Sequence, residues 1–225
     1  MSARPLERPT AVDLYGAELL RSASQPEVMA VLRAVDEHGD ELPFALRRYL
    51  ETPTADEHGV LDRAVGPVLD IGCGPGRHIV ALSRRGVVAV GVDISPLAVM
   101  LARTRGANVI EGSVFDRLPG AGTWGSALLL DGNIGIGGAP CQLLRRVGAL
   151  LAPAGIVLLE IEGPDVPTGT LCVRLESEQM RSQWFPWARV STAELPSIAS
   201  QVGFEVREQW QAGGRWFAAL ERACC

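Results

Sequence analysis

Lysine is missing from this chain, and all 21 of its basic residues are arginine. Arginine stays protonated and forms no imine, so Schiff-base chemistry, a phosphate loop built on lysine and any lysine general base are excluded. The bias is what a GC-rich genome produces. Histidine is scarce, with three residues, His38, His58 and His78. No run reaches the roughly 18 uninterrupted apolar residues that a membrane span needs. The start, MSARPLERPT, has charge and proline where a signal peptide needs an apolar stretch, so a cytoplasmic protein is expected. Cys73, Cys141, Cys172, Cys224 and Cys225 show neither metal-ligand spacing nor a disulfide framework, so reduced thiols and no metal site are expected. A net charge of −5 and a pI near 5.3 argue against nucleic acid as a partner.

What the chain does have is length and rhythm. Its 225 residues suffice for one well-buried core with a small appended region. Residues 1 to about 9 read as disordered. Thr10-x-x-Asp13 and Ser24-x-x-Glu27 resemble helix starts, the second with Pro26 in its first turn, and Val28, Val31, Leu32 and Val35 recur at helical spacing. Two or three helices are therefore expected first, the third over Phe44 to Leu50, then a loop at ETPTADEHG. From Pro67, short apolar runs alternate with amphipathic segments: VLDI (68–71), VVAVGVD (87–93), NVIEG (108–112), SALLLD (126–131) and GIVLLEIE (155–162). This alternation specifies a parallel sheet covered by helices on both faces. After Glu162 the rhythm breaks. TLCVRLES and SQWFPWARVS are expected as an extra hairpin or lid, and TAELPSIASQVG as a helix interrupted at Pro196. GFEVREQWQAGGRWFAALER reads as two strands about a Gly213-Gly214 turn, an antiparallel pair at the end of the sheet.

Two glycine-rich stretches leave strands. In VLDIGCGPGRH, Gly72, Gly74 and Gly76 let the backbone turn sharply and approach a ligand, while the following helix offers free N–H groups. At the end of the next strand, Asp93 is placed to accept two hydrogen bonds from ribose hydroxyls. The sixth place of G-x-G-x-x-G is Arg77, where the nicotinamide fingerprint needs glycine. The second stretch is DGNIGIGG, residues 131–138.

VLDIGCGPGRH together with VVAVGVDIS resembles the first two motifs of the class I S-adenosylmethionine-dependent methyltransferases, from about residue 66 to the C-terminus. The resemblance implies a three-layer, doubly wound α/β fold with a mostly parallel seven-stranded sheet, order 3-2-1-4-5-7-6, strand 7 antiparallel. It implies an N-terminal helical cap and linker over 1–59, and a cofactor-binding core over 60–225 with a lid insertion near 164–191. The cofactor would be S-adenosyl-L-methionine and the partner a small-molecule methyl acceptor, with the O, N or C atom open, in a monomer or homodimer. Asp70 would lie near the methionine ammonium, directly or through water, and Gly72, Cys73 and Gly74 against the methionine and ribose portions. Asp93 would hold the ribose hydroxyls, Ile94 would pack on adenine, and Tyr15 would close over the cofactor. Ser113 stands where relatives often carry an acid for the adenine amino group, with Asp116 three residues on. The Val114 N–H is available to an adenine ring nitrogen, and which group reads the amino group stays open.

Across the point where strand order reverses, Asp131, Gly132 and Asn133 are expected at the reactive centre, the first two also touching cofactor. Asp131-Gly-Asn-Ile departs from the proline-proline-aromatic sequence of enzymes that methylate exocyclic base amines. Gly135, Gly137 and Gly138 read as a hinge into a helix near Pro140, or as an approach to N–H groups that receive an anionic part of the acceptor. Asp131, Asn133, His38 and Glu160 are the catalytic candidates, with His58 and Glu162 as further possible bases and His78 as a packing or capping group. Trp184-Phe185-Pro186-Trp187 is either a core hairpin or an apolar wall for the acceptor, and Arg189 beside it pairs with an acceptor carboxylate or with solvent. The alternatives are a non-catalytic S-adenosylmethionine-binding sensor or accessory protein, and an NAD(P)-dependent oxidoreductase.

Overall fold

The computed structural model describes residues 8–25, 27 and 31–223. The thiols of Cys224 and Cys225, the helix turn expected around Pro26 and Val28, and most of the expected disordered start lie outside these residues. Thr10 opens the first helix: its hydroxyl accepts from the Asp13 N–H at 3.1 Å while the Asp13 carboxylate takes the Thr10 N–H at 3.3 Å. That reciprocal cap fixes α1, Ala11–Ser24.

The next helix expected from the sequence is not found over its second half. Leu32–Asp36 is a strand, β1, turning into β2, Glu41–Leu42. The Asp36 carboxylate accepts the backbone N–H groups of His38 and Asp40, both at 2.9 Å, and so closes the turn. α2 follows at Leu46–Leu50. The stretch expected as a loop contains α3, Ala55–Leu61, opened by a second capping box, Thr54 with Glu57. That pattern is visible in the sequence, but Pro53 and Gly59 on either side mask it.

Eight elements follow, strand and helix alternating except between β5 and β6: β3 (Val68–Ile71), α4 (Arg77–Arg84), β4 (Ala89–Asp93), α5 (Pro96–Thr104), β5 (Val109–Glu111), β6 (Trp124–Leu129), α6 (Pro140–Leu150) and β7 (Leu151–Ile161). The chain then adds β8 (Gly169–Ser177), β9 (Phe185–Arg189), α7 (Leu195–Ser200), β10 (Phe204–Ala212) and β11 (Arg215–Arg222). Pro196 falls in the first turn of α7, where it starts the helix rather than interrupting it. The main sheet runs β5-β4-β3-β6-β7-β11-β10, which is 3-2-1-4-5-7-6 counted along the core, and β11 is antiparallel to both neighbours. Side chains alternate between its faces. Leu69, Ile71, Leu129 and Leu159 pack under α6 and α7, while Val68, Leu128, Leu158 and Phe217 pack under α3, α4 and α5.

A second, four-stranded sheet has the order β2-β1-β8-β9. It joins the segments expected as cap and lid into one unit, because β1 pairs antiparallel with β8 from Leu32↔Ser177 to Asp36↔Val173. This partner explains the strand at 32–36: Leu32 and Ala34 are buried against Leu14, Ala98, Val173 and Leu175. No helix among the described residues is long and apolar enough to cross a membrane.

Between β6 and α6 the chain makes short 3-10 turns over Asn133–Gly138, kinked at Ile136 and Gly137. They pack directly on β9. A Cβ at Gly135 would sit on the Ala188 carbonyl oxygen and the Trp187 indole nitrogen. Gly135→Ala is therefore expected to cost about 1–3 kcal/mol by overpacking. Scanning calorimetry should show a lowered unfolding midpoint, and a midpoint within about 1 °C of the parent would contradict this contact.

Candidate functional site

The carboxyl ends of β3, β4, β6 and β7 open on a cavity of about 750 Å³ that reaches under the small sheet. Ligand sites measure roughly 300–1,000 Å³, so this one has room for two small molecules side by side. Gly72 and Gly74 line one half, and both hold left-handed backbone, φ 68° and 51°, which favours glycine. Asn133 ties this loop to the end of β6, its amide nitrogen donating to the Ile71 carbonyl at 2.8 Å and the Gly72 carbonyl at 3.0 Å.

Asp93 lines the same half. Its two carboxylate oxygens accept from the Gly74 and Ser95 N–H groups, each at 2.8 Å, and each oxygen keeps a second lone pair. Burial pushes this carboxyl above the ordinary aspartate range against the pull of those N–H groups, and the charge of Asp70 adds to the rise. Beside it Ile94 is 54% exposed, an apolar side chain left open at the rim. Ser113 and Val114 complete this end. The Ser113 N–H donates to Asp116 at 3.0 Å and the Ser113 hydroxyl accepts from Phe115, so both side chains close their own turn. Tyr15 lines the cavity, with its ring edge-on to Phe44 and Tyr49. Its hydroxyl lies 2.8 Å from where a Cβ on Gly74 would be. Burial raises its phenol well above the usual value, as it does the Cys73 thiol, so both stay protonated.

Several expected positions fall elsewhere. Asp70 is buried beneath the glycine loop, its carboxylate 3.4 Å from His78 Nδ1, and is not part of the cavity wall. Strand alternation is the reason: the next residue, Ile71, reaches the cavity and Asp70 is turned away. His38 sits exposed in the β1–β2 turn, and His58 lies against Arg85 on α3; neither lines the cavity.

Asp131 and Glu160 do line it, and both are consumed by arginines. Arg77 meets the Asp131 oxygens at 2.7 and 2.6 Å and Glu57 at 2.8 Å. Arg48 reaches Asp131 at 2.8 Å, and Arg215 bridges Glu57 at 2.7 Å, Asp131 at 3.3 Å and both oxygens of Glu160. The Asp131 N–H donates to Glu160 at 2.7 Å from a backbone at φ 57°, unusual for a residue other than glycine. Burial opposes ionisation of Asp131, but Arg77 and the other cations outweigh it and hold the carboxyl below its usual range. Such a group is a poor proton acceptor; it shapes the loop. The carboxylate left open on this wall is Glu162, raised by burial although Arg189 pulls it down. The arginine network escaped sequence reasoning because its members lie 20 to 158 residues apart and belong to no motif.

A glycine loop in left-handed backbone, a carboxylate at the end of the next strand and an open apolar rim, on this strand order, are those of the class I S-adenosylmethionine-dependent methyltransferase fold. Residues 46–209 match the family model described as a methyltransferase domain, and the chain belongs to that family. It is 30% identical over 131 residues to trans-aconitate 2-methyltransferase of Paracidovorax citrulli (strain AAC00-1), covering 55% of this chain. The match spans half the length of that curated relative. It is similar to a crystallised S-adenosylmethionine-dependent methyltransferase of Bacteroides fragilis in complex with S-adenosylhomocysteine, with 25% identity, a TM-score of 0.80 and coverage of 97% and 98% of the two chains. The CcbJ methyltransferase of Streptomyces caelestis, 18% identical with a TM-score of 0.61 over 81% of this chain and 94% of that one, shares the fold. S-adenosylmethionine is the cofactor of this family, and the glycine loop, Asp93 and Ile94 fit it.

Proposed function

We propose that the protein transfers the methyl group of S-adenosylmethionine to a small-molecule acceptor held beneath the β2-β1-β8-β9 sheet. The observation that carries this is the single continuous cavity, with the glycine loop and Asp93 in one half and a wall of apolar and aromatic residues in the other. The acceptor named for the Paracidovorax relative, trans-aconitate, is itself a small molecule. When bound, the cofactor supplies an electrophilic methyl group on a sulfonium whose leaving group is a neutral thioether, so alignment and exclusion of water matter more than acid–base help.

The chain's residues divide that work. Gly72 and Gly74 let backbone approach the methionine and ribose portions, Asp93 accepts from the ribose hydroxyls, and Ile94 with the Val114 N–H takes the adenine. Asn133 keeps the β6 loop at a fixed distance from the glycine loop, and the Arg77–Asp131–Arg215–Glu160 network holds that loop rigid. Tyr15 and the aromatic wall exclude water. Where the acceptor nucleophile starts protonated, Glu162 is the open carboxylate that can take its proton.

The test is release of S-adenosylhomocysteine across panels of phenols, amines and carboxylates, run beside peptides and oligonucleotides. Turnover is expected with a small molecule; turnover with macromolecules alone would overturn the reading. A pH signature follows from Asp93. The ribose site needs the carboxylate form, and its folded pKa lies above the ordinary value. Affinity for S-adenosylhomocysteine is therefore lost on acidification, at a higher pH than an unperturbed aspartate would allow. Calorimetric titration over a pH series checks this, and affinity that holds constant down to the ordinary aspartate pKa would contradict it.

A further inference from the structure

Resting on the methyltransferase reading, we infer that the acceptor is a flat, largely apolar carboxylate whose anionic group is held by Arg189. The inner face of the small sheet is the basis. Residues directly paired across strands share a face, as do alternate residues along one strand. Through the pairs Ala34↔Leu42, Ala34↔Leu175 and Val173↔Phe185, one face presents Leu42, Ala34, Leu175, Val173, Phe185 and Trp187, all on the cavity wall. Arg189 continues the row two residues beyond Trp187 and is the charged side chain that this sheet gives to the wall. The opposite face keeps its charges paired with one another, Arg33 with Glu41 and Arg174 with Glu176.

Arg189 lacks such a partner. Its Nε is buried without a hydrogen bond, and no carboxylate among the described residues lies within ion-pair distance. A guanidinium with a buried, unbonded Nε and no carboxylate at ion-pair distance, set in an otherwise apolar sheet face, is ready for an anion, and its planar fork matches a carboxylate bidentately. Glu162 comes close enough to interact through space, since its own N–H bonds the Val190 carbonyl at 2.9 Å, beside Arg189. That charge disfavours a dianionic phosphate at the same spot and accepts from a hydroxyl or N–H on the same ligand. Trp187 and Trp216 on the wall suit a flat body.

The experiment is calorimetric titration of the full chain, saturated with S-adenosylhomocysteine, with benzoate, cinnamate, indole-3-acetate, their primary amides, and phenyl phosphate. At least one acid should bind, about tenfold or more tighter than its amide and tighter than phenyl phosphate, and Arg189→Gln should bring that acid to the level of its amide. Arg189→Lys should weaken the acid severalfold and leave the amide unchanged, which keeps the test alive if Arg189→Gln does not fold. Titration of each variant with S-adenosylhomocysteine reports that its cofactor half is intact. Binding of no acid, amides that match their acids, a preference for phenyl phosphate, or variants that leave acid affinity unchanged would each overturn the inference. Failure of the parent chain to bind S-adenosylhomocysteine is a separate result, and it removes the methyltransferase reading instead.

Discussion

Arg77→Met is expected to destabilise the protein more than any other single surface-sparing change in the site. The Arg77 side chain is 2% exposed and that of Glu57 0%, so the substitution leaves a buried carboxylate with Arg215 as its remaining arginine, beside the Thr54 N–H and His78, and removes two contacts from Asp131. Breaking a buried pair from one side costs about 3–5 kcal/mol. For a domain of this size that lowers the unfolding midpoint by roughly 6–20 °C. The effect carries a pH signature. Burial opposes ionisation of Glu57 and Asp131, but Arg77 leads the groups that hold both carboxyls below their ordinary values. Their stabilisation is therefore fully present above the ordinary carboxylate pKa and lost as pH falls through the depressed folded values. The gap between parent and variant should be widest near neutrality and close in acid. Scanning calorimetry over a pH series reads both features, and a shift below about 2 °C at neutral pH would show that the network contributes little.

Asp93→Ala is expected to remove cofactor binding almost entirely. The carboxylate tethers the glycine loop through the Gly74 N–H and the start of α5 through the Ser95 N–H, and its remaining lone pairs are the acceptors proposed for the ribose hydroxyls. Losing two hydrogen bonds to a charged acceptor costs about 1.5–3 kcal/mol each, or roughly 10²- to 10⁴-fold in affinity for S-adenosylhomocysteine. Asp93→Asn should fall between, because one acceptor oxygen survives. Isothermal titration is the check, and a dissociation constant within about threefold of the parent would remove Asp93 from the ribose site.

Both effects bear on how much the sequence could tell. The glycine-loop half of the cavity was legible in its geometry because its determinants are local: Gly72 and Gly74 turn the backbone and Asp93 ends a strand, which spacing encodes. The main sheet was legible for the same reason, its buried strands reading as continuous apolar runs from VLDI to GIVLLEIE. Asp70 lies beneath the glycine loop and off the cavity wall, and its position in the motif says nothing of the side to which alternation turns it. β1 was hidden since Leu32, Ala34 and Val35 fit a helix as well as a strand until β8, some 140 residues on, supplies the pairing. Asp131 and Glu160 looked like free acids because Arg77, Arg48 and Arg215 converge on them only after folding. Arg189 and Glu162, by contrast, could be named in sequence, but their lack of partners is a property of the cavity.

The glycine-loop half of the cavity is the site proposed for S-adenosylmethionine. The most direct test of that proposal is a single calorimetric comparison, titrating the protein with S-adenosylhomocysteine and with NADH under the same conditions. Saturable one-to-one binding of S-adenosylhomocysteine is expected, with no heat from NADH. Saturable binding of NADH with none of S-adenosylhomocysteine would contradict it.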